Sequence, residues 1–201
     1  MEYNEYTMAK KSGLTFYEKE KKINKHFLNE ILEMIIASAL CVFLAFVVTY
    51  VFGGRTGIIG DSMEPSIEAS SEIFINRFVY MISSPKRGDI VVFLPYGNTN
   101  THYYIKRVVG LPEEKVMIMD GRLMIDGRAI EPEDKYDYMI DSGIADTEFE
   151  LAEDEFFVLG DNRNNSEDSR SGNIGPVKKE NIIGKAWLII HKSDGSVRLA
   201  Q

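Results

Sequence analysis

Two residue types in this chain, a serine set in a tight turn and a lysine set in an apolar strand, have the makings of a nucleophile and its base. Ser62 lies in GIIGDSMEPSI, residues 57–67. A serine attacks a carbonyl only where a base takes its proton and donors meet the oxyanion that forms. Gly57 and Gly60 permit a tight backbone and close approach of a ligand, and Pro65 fixes the chain soon after. Backbone N–H groups at such a turn suit an oxyanion. Taken singly, the pattern is also that of an ordinary surface serine.

The base has few candidates. The histidines are His26, His102 and His191. His26 falls on the opposite side of a membrane span from Ser62 by the topology argued below, and His191, at the end of AWLII, is expected to face solvent. His102 stands four residues before Lys106 in HYYIKRVV, and Lys106 is the better candidate. In an extended strand Tyr104, Lys106 and Val108 share one face, with Ile105, Arg107 and Val109 on the other. A lysine works as a base near neutral pH only if its pKa falls from ~10.4 by a few units, each worth about 1.4 kcal/mol. Apolar burial does this to lysine and never usefully to arginine. A lone strand lysine is otherwise a snorkelling surface residue.

A third stretch, GDNRNNSEDSRSGNIGP at 160–176, has no apolar residue between Leu159 and Ile174. A loop this long and polar is either functional or a solvated linker. Asp161, Asn165 and Asp168 are oxygen-rich enough to suggest Ca²⁺. EF-hand spacing fails, because Arg163 takes the third position and the required glycine and final glutamate are missing. No metal and no cofactor are expected.

These residues need elements to position them. From Met34 to Phe52 nineteen residues carry no charge, enough at ~1.5 Å per residue to span roughly 30 Å of hydrocarbon. The run is apolar on every face, unlike a soluble core helix. Thirty mostly polar residues precede it, and its exit, Thr49-Tyr50-Val51-Phe52, has no small-x-small cleavage site. Lys10, Lys11, Lys19, Lys21, Lys22 and Lys25 flank it on one side, against Arg55 alone in the first fifteen residues of the other. Positive-inside bias therefore puts the N-terminus in the cytoplasm. The expected organisation is a cytoplasmic segment at 1–30, a signal anchor at 31–52 and an extracytoplasmic domain at 53–201.

The 201 residues carry a net charge of −8, all of it from the exported part, where 17 Lys and Arg face 25 Asp and Glu. This excludes nucleic acid as an electrostatic partner and leaves apolar contact as the means of touching lipid beyond the anchor. A core strand is the expectation for FVYMI at 78–82, and an apolar surface patch the alternative. Cys41 is the only cysteine, so no disulfide staples the fold.

Past Phe52, EIFINRFVYM, GDIVVFLP, HYYIKRVVGLP, EKVMIM, RLMID, EFFVLGD and KAWLIIH read as strands, rich in β-formers and bounded by turn residues. Asp120-Gly121 and Asp126-Gly127 mark hairpins. The domain is expected to be mainly β, a curled sheet or partial barrel with one irregular polar loop. The acidic run from Glu131 to Glu155 either packs on the sheet or forms a cap.

SMEPSI at 62, RGDIVVF at 87, YIKRVVGLP at 104 and GDNRNNSEDSR at 160 together resemble, in order and after an anchor, the successive boxes of bacterial type I signal peptidases. The size and single anchor are similar to the Gram-positive branch. The resemblance implies a mainly β fold of curled antiparallel sheets, the signal-peptidase fold shared with LexA-type repressors. It implies Ser62 as nucleophile and Lys106 as general base. The Ser62 N–H would serve as oxyanion donor, with Gly60 standing where some relatives carry a helping serine. Met63 and Pro65 would shape the site beside Asp61, and Ser166 would orient the lysine amine. Asp168 and Arg170 would hold the loop, which Gly160, Asp161, Asn162 and Arg163 open. Departures from the usual pattern are Ser66 for threonine, Asn164 for aspartate and Glu113-Glu114 after GLP.

The implied substrates are exported preproteins, bound as an extended strand and cut after small-x-small residues, near the bilayer and the export channel. Strands around Ile58-Ile59 and Ile90 to Leu94 are candidate pocket walls. From Phe52 to Ser62 the chain reaches at most ~35 Å, which keeps the serine near the membrane surface. Three other readings fare worse. A GDSL esterase needs aspartate three residues before His191, where Leu188 stands. A histidine-based peptidase needs histidine at the position of Lys106. A non-catalytic anchored β-domain does not need Ser62 and Lys106 together.

Overall fold

The computed structural model describes residues 7–11, 14–18, 25–52, 54–57, 60–98, 102–132 and 135–200. In chain order the regular elements are β1 (Thr7–Lys11), β2 (Leu14–Glu18), α1 (Lys25–Phe52), β3 (Gly54–Gly57), β4 (Glu72–Asn76), α2 (Val79–Ile82), β5 (Ile90–Phe93) and β6 (Tyr104–Gly110). There follow β7 (Lys115–Met119), β8 (Arg122–Ile125), β9 (Arg128–Ala129), β10 (Phe149–Glu150), β11 (Glu155–Leu159), β12 (Val177–Lys178), β13 (Ile182–Ile190) and β14 (Val197–Leu199).

The chain divides into two compact units, residues 1–46 and 47–201. In the first, β1 and β2 pair antiparallel, Thr7 opposite Glu18. Helix α1 begins six residues before the expected anchor, Lys25, Leu28 and Glu30 being good helix formers in a stretch without Gly or Pro to stop it. At ~1.5 Å per residue its 28 residues reach about 42 Å, longer than the hydrocarbon core. Side chains from Lys25 to Tyr50 are exposed within the chain, the arrangement a lipid-facing helix needs. Among the described residues it is the one helix long and apolar enough to span a membrane.

The second unit is mainly β, as expected, and its described strands all pair antiparallel. One large sheet runs β12-β11-β6-β5-β13-β4-β3, with β14 on β13. Register shifts at Phe157/Val158, Ile182/Gly184 and Ala186/Leu188 bend its strands and curl it. A smaller sheet, β10-β7-β8-β9, is built from two-residue turns at the expected Asp-Gly pairs. Both residues of each turn have positive φ, 50° and 72° in each case, which matches the right-handed strand twist. From the 131–155 run, Met139, Ala145 and Leu151 are buried with Val116 and Leu123 of this sheet and with Phe157 of β11.

Two expectations are corrected. FVYMI is no core strand. The Asn76 Oδ1 accepts from the N–H groups of Phe78 and Val79 at 3.1 and 3.2 Å, so the chain turns out of β4 into α2. Phe78, Met81 and Ile82 are left exposed, while Tyr80 turns inward and donates to Asp89 at 2.9 Å. His191 does not face solvent either. The turn after β13 folds back, the His191 N–H donating to the Ser196 carbonyl, and the imidazole is 4% exposed with Nδ1 3.7 Å from Glu68. Of the candidate pocket walls, Ile90 to Leu94 are buried in the sheet, and Ile58-Ile59 lie outside the described residues.

Phe157, fully buried and edge-on to Phe149 at 5.8 Å between centroids, joins the two sheets. Phe157→Ala is expected to lower unfolding stability by about 3–5 kcal/mol. A denaturant titration of the detergent-solubilised chain, followed by near-UV circular dichroism, measures this.

Candidate active site

Ser62 is presented by a compact turn between β3 and β4. Gly60 takes φ +93°, a backbone that side chains rarely adopt, so its lack of a hydroxyl has a conformational cause. The Glu64 N–H donates to the Asp61 carbonyl at 3.0 Å and the Ile67 N–H to Met63 at 2.9 Å. Met63 and Ile67, both fully buried, fasten the turn to the core beneath it. Pro65 is exposed on its outer side.

Lys106 comes from β6, paired with Val91 of β5. Its Nζ lies 2.5 Å from the Ser62 Oγ, although 44 residues separate them. The side chain is only 4% exposed, and burial pushes its pKa down to about 8. The carboxylates of Asp168 and Glu167 pull the other way, and the Arg170 guanidinium adds to the lowering. His102, by contrast, is exposed.

The next strand residue is a part of the site that sequence reasoning missed. Arg107 forks onto Asp161, Nε to Oδ1 at 2.8 Å and Nη2 to Oδ2 at 2.7 Å, and also donates to the Gly88 carbonyl at 2.9 Å and the Ser66 hydroxyl at 3.4 Å. Burial alone would lower its pKa, but the bonds and charge of Asp161 outweigh that and hold it raised. The signal lay in a permanent charge placed inside an otherwise apolar strand, which demands a buried partner.

The 160–176 loop closes over the turn. The Asn162 N–H donates to the Ser62 carbonyl at 3.1 Å, while the Asn162 and Asn165 side-chain amides donate to the Asp61 carbonyl and Oδ2 at 3.3 and 2.8 Å. Arg170 holds both oxygens of Asp168 at 2.8 and 2.9 Å and reaches the carbonyls of Arg163 and Asp141. The same Asp168 accepts from the Gly160 N–H at 3.1 Å. A Cβ on Gly160 would lie 2.2 Å from the Ser166 Oγ and 2.5 Å from the Ser62 carbonyl, so only glycine fits. The Ser166 hydroxyl is buried with no hydrogen-bond partner among the described residues.

Arg163 leaves the centre and pairs with Glu131 at 2.6 and 2.7 Å beneath the Tyr136 ring, residues the expected site did not include. Asn164 accepts from the Ile140 N–H at 3.0 Å and donates to the Tyr138 carbonyl at 2.9 Å. An ionised aspartate could not do the second. Beside Ser166 opens a groove of about 560 Å³ bordered by Ile140, Ile144, Asn164, Arg170 and Gly172. Among the described residues no three His, Cys, Asp or Glu side chains are grouped to hold a metal.

The curled antiparallel domain thus brings a serine hydroxyl against a buried lysine amine. The chain belongs to the signal peptidase family, peptidase S26, whose family model matches residues 30–191. It is similar to signal peptidase I P of Bacillus subtilis subsp. natto, 32% identical over 88% of this chain and 95% of that one. It is also similar to signal peptidase I of Bacillus amyloliquefaciens, 34% identical over 86% and 92%. A crystal structure of a signal peptidase I from Enterococcus faecalis is 29% identical, at a TM-score of 0.39 over 52% of this chain and 97% of that one. Membership makes the chain a peptidase of the signal-peptide-processing kind, with an N-terminal helix suited to anchoring it in a membrane.

Asp161→Ala is expected to leave the Arg107 guanidinium buried without its carboxylate and to cost about 3–5 kcal/mol. Urea denaturation of the intact and variant chains measures the difference, and a loss under 1 kcal/mol would contradict the pairing.

Proposed function

We propose that this chain removes signal peptides from exported preproteins by a Ser62/Lys106 dyad. The observation that carries the reading is the 2.5 Å contact between a serine hydroxyl and a lysine amine whose charge is disfavoured by burial. With a pKa of about 8, roughly a tenth of Lys106 is neutral at pH 7, some 250-fold more than at ~10.4. The neutral amine takes the Ser62 proton as Oγ attacks the scissile carbonyl, and the oxyanion forms at the Ser62 N–H. The resulting ammonium protonates the departing amine, breaking the peptide bond and leaving an acyl-enzyme. The amine, neutral again, then deprotonates the water that releases the acyl group.

The other residues position this pair. Asp61 and Asn162 carry the bonds between turn and loop, Asp168 and Arg170 brace the loop, and Asp161 neutralises Arg107 beside the base. The Ser166 hydroxyl is the proposed acceptor for the N–H that Lys106 gains on protonation. The substrate lies extended along the site and is cut after a small-x-small sequence. Helix α1 keeps the N-terminus cytoplasmic and residues 53–201 outside, close to the export channel, where a translocated signal peptide ends.

In vitro cleavage of a detergent-solubilised preprotein, with the new N-terminus read by mass spectrometry, tests the assignment. The intact chain is expected to cut after a small-x-small site, and Ser62→Ala and Lys106→Ala to lose at least a thousandfold while remaining folded. Retained activity in Lys106→Ala means another base is at work. If the intact chain never cuts, a non-catalytic anchored domain becomes the better reading.

The pH profile is a separate check. Because the neutral lysine is the working form, kcat/KM is expected to rise tenfold per unit up to a pKa of about 8 and then level off. Lys106→Arg keeps the charge and is expected to be inactive throughout, since guanidinium does not deprotonate in this range.

A further inference from the structure

Three carboxylates act on the Lys106 amine, all of them from the 160–176 loop: Asp168, Glu167 and Asp161, with the Arg170 guanidinium opposing them. The nucleophile turn presents the Ser62 hydroxyl, its Asp61 carboxylate being taken by Asn165, and from β5 the paired residue is Val91. Asp161 and Asp168 are each forked by an arginine, Arg107 and Arg170. Among the described residues Glu167 has no cationic partner, so its charge acts on the base without that offset.

What holds Glu167 is an aromatic hydroxyl. Tyr104 and Lys106 share one face of β6, two residues and about 6.8 Å apart along the strand. The Tyr104 ring lies tilted against Phe93, 5.9 Å between centroids, which fixes its direction. Its hydroxyl donates to the Glu167 Oε2 at 3.3 Å. Burial and the Glu167 carboxylate both raise the phenol's pKa, so it remains a donor. Glu167 is itself exposed, and without that bond its side chain would be free in solvent. The bond ties the loop to the strand of the base across 63 residues of sequence.

We propose that Glu167 is a positioning residue for Lys106: held by the Tyr104 hydroxyl, it straps the loop to β6 and keeps a carboxylate without an arginine of its own near the amine. This rests on Lys106 being the base and adds a part to it. A base must also keep the proton it has taken until the leaving amine collects it. The strapped carboxylate stabilises the ammonium at that stage and lowers the neutral fraction near pH 7.

The test follows Lys106 directly in the full-length chain in detergent micelles, through the ¹³Cε shifts of labelled lysine, with the signal assigned by its loss in Lys106→Arg. Glu167→Gln keeps a hydrogen-bonding group and removes the charge. Its Lys106 midpoint is expected at least about 0.3 pH below that of the intact chain, about twofold in the neutral fraction. The gap is expected to narrow at about 1 M salt, where charges are screened within about 3 Å. Tyr104→Phe is expected to move the midpoint the same way by less, and Glu153→Gln, in the exposed turn before β11, to leave it in place. In cleavage, the rising limb of kcat/KM in Glu167→Gln is expected to move to lower pH while its plateau falls. General loosening of the loop lowers every pH alike and gives no such crossing.

A midpoint lowered by less than this in Glu167→Gln, or a gap undiminished by salt, overturns the proposal. A Tyr104→Phe chain that titrates like the intact one overturns the strap. A shifted midpoint in a chain that never cuts keeps Glu167 in its place and removes the dyad, whereas an unshifted midpoint in a chain that cuts does the reverse.

Discussion

The structure turns on keeping the Lys106 amine out of water while denying it a carboxylate of its own. A lysine in contact with aspartate would gain an ion pair and hold its proton more tightly. Asp168, Glu167 and Asp161 all raise the pKa from a distance, yet Asp168 and Asp161 are engaged by Arg170 and Arg107, and Glu167 accepts from the Tyr104 hydroxyl at 3.3 Å. The two guanidiniums hold the carboxylates in fixed geometry and offset their charge. Desolvation then outweighs the remaining attraction, which is the condition a lysine base requires.

That arrangement depends on strand β6, whose consecutive Lys106 and Arg107 both reach the turn at 61–66, one at Ser62 and the other at Ser66. The turn is thereby held along the strand at two points. Its other side is held by the loop, through Asn162 to the Ser62 carbonyl and Asn165 to Asp61. Ser62 is placed by segments 44 and about 100 residues away in sequence. The segment packed on the smaller sheet through Met139 and Leu151 supports the loop, its Tyr138 carbonyl accepting from Asn164 and its Glu131 pairing with Arg163.

Much of this was legible because some residues admit few environments. An Asp-Gly pair between β-formers calls for a primed turn, and both such pairs made one. Short apolar runs rich in β-formers and bounded by turn residues gave the strands. What failed to show was pairing across distance. Arg107 in an apolar strand announced a buried partner without naming Asp161, and FVYMI, expected as a core strand with a surface patch the alternative, is turned outward by the Asn76 cap. His191 looked exposed because its burial comes from the backbone folding over it after the strand ends. Asn164, a departure from the usual aspartate, supplies an amide donor to the Tyr138 carbonyl that aspartate lacks.

Gly160 shows how little slack the loop has. Its missing side chain lets the loop backbone come against the Ser62 carbonyl, and the space a Cβ would take is already filled by Ser166. Any residue there would move the serine carbonyl, Ser166, or both, and a displacement of an ångström is enough to part a 2.5 Å contact. The residues that make and brace that contact lie between positions 61 and 170, all in the second unit. Helix α1 therefore contributes location and leaves the proposed chemistry to be built by the sheet, the turn and the loop alone.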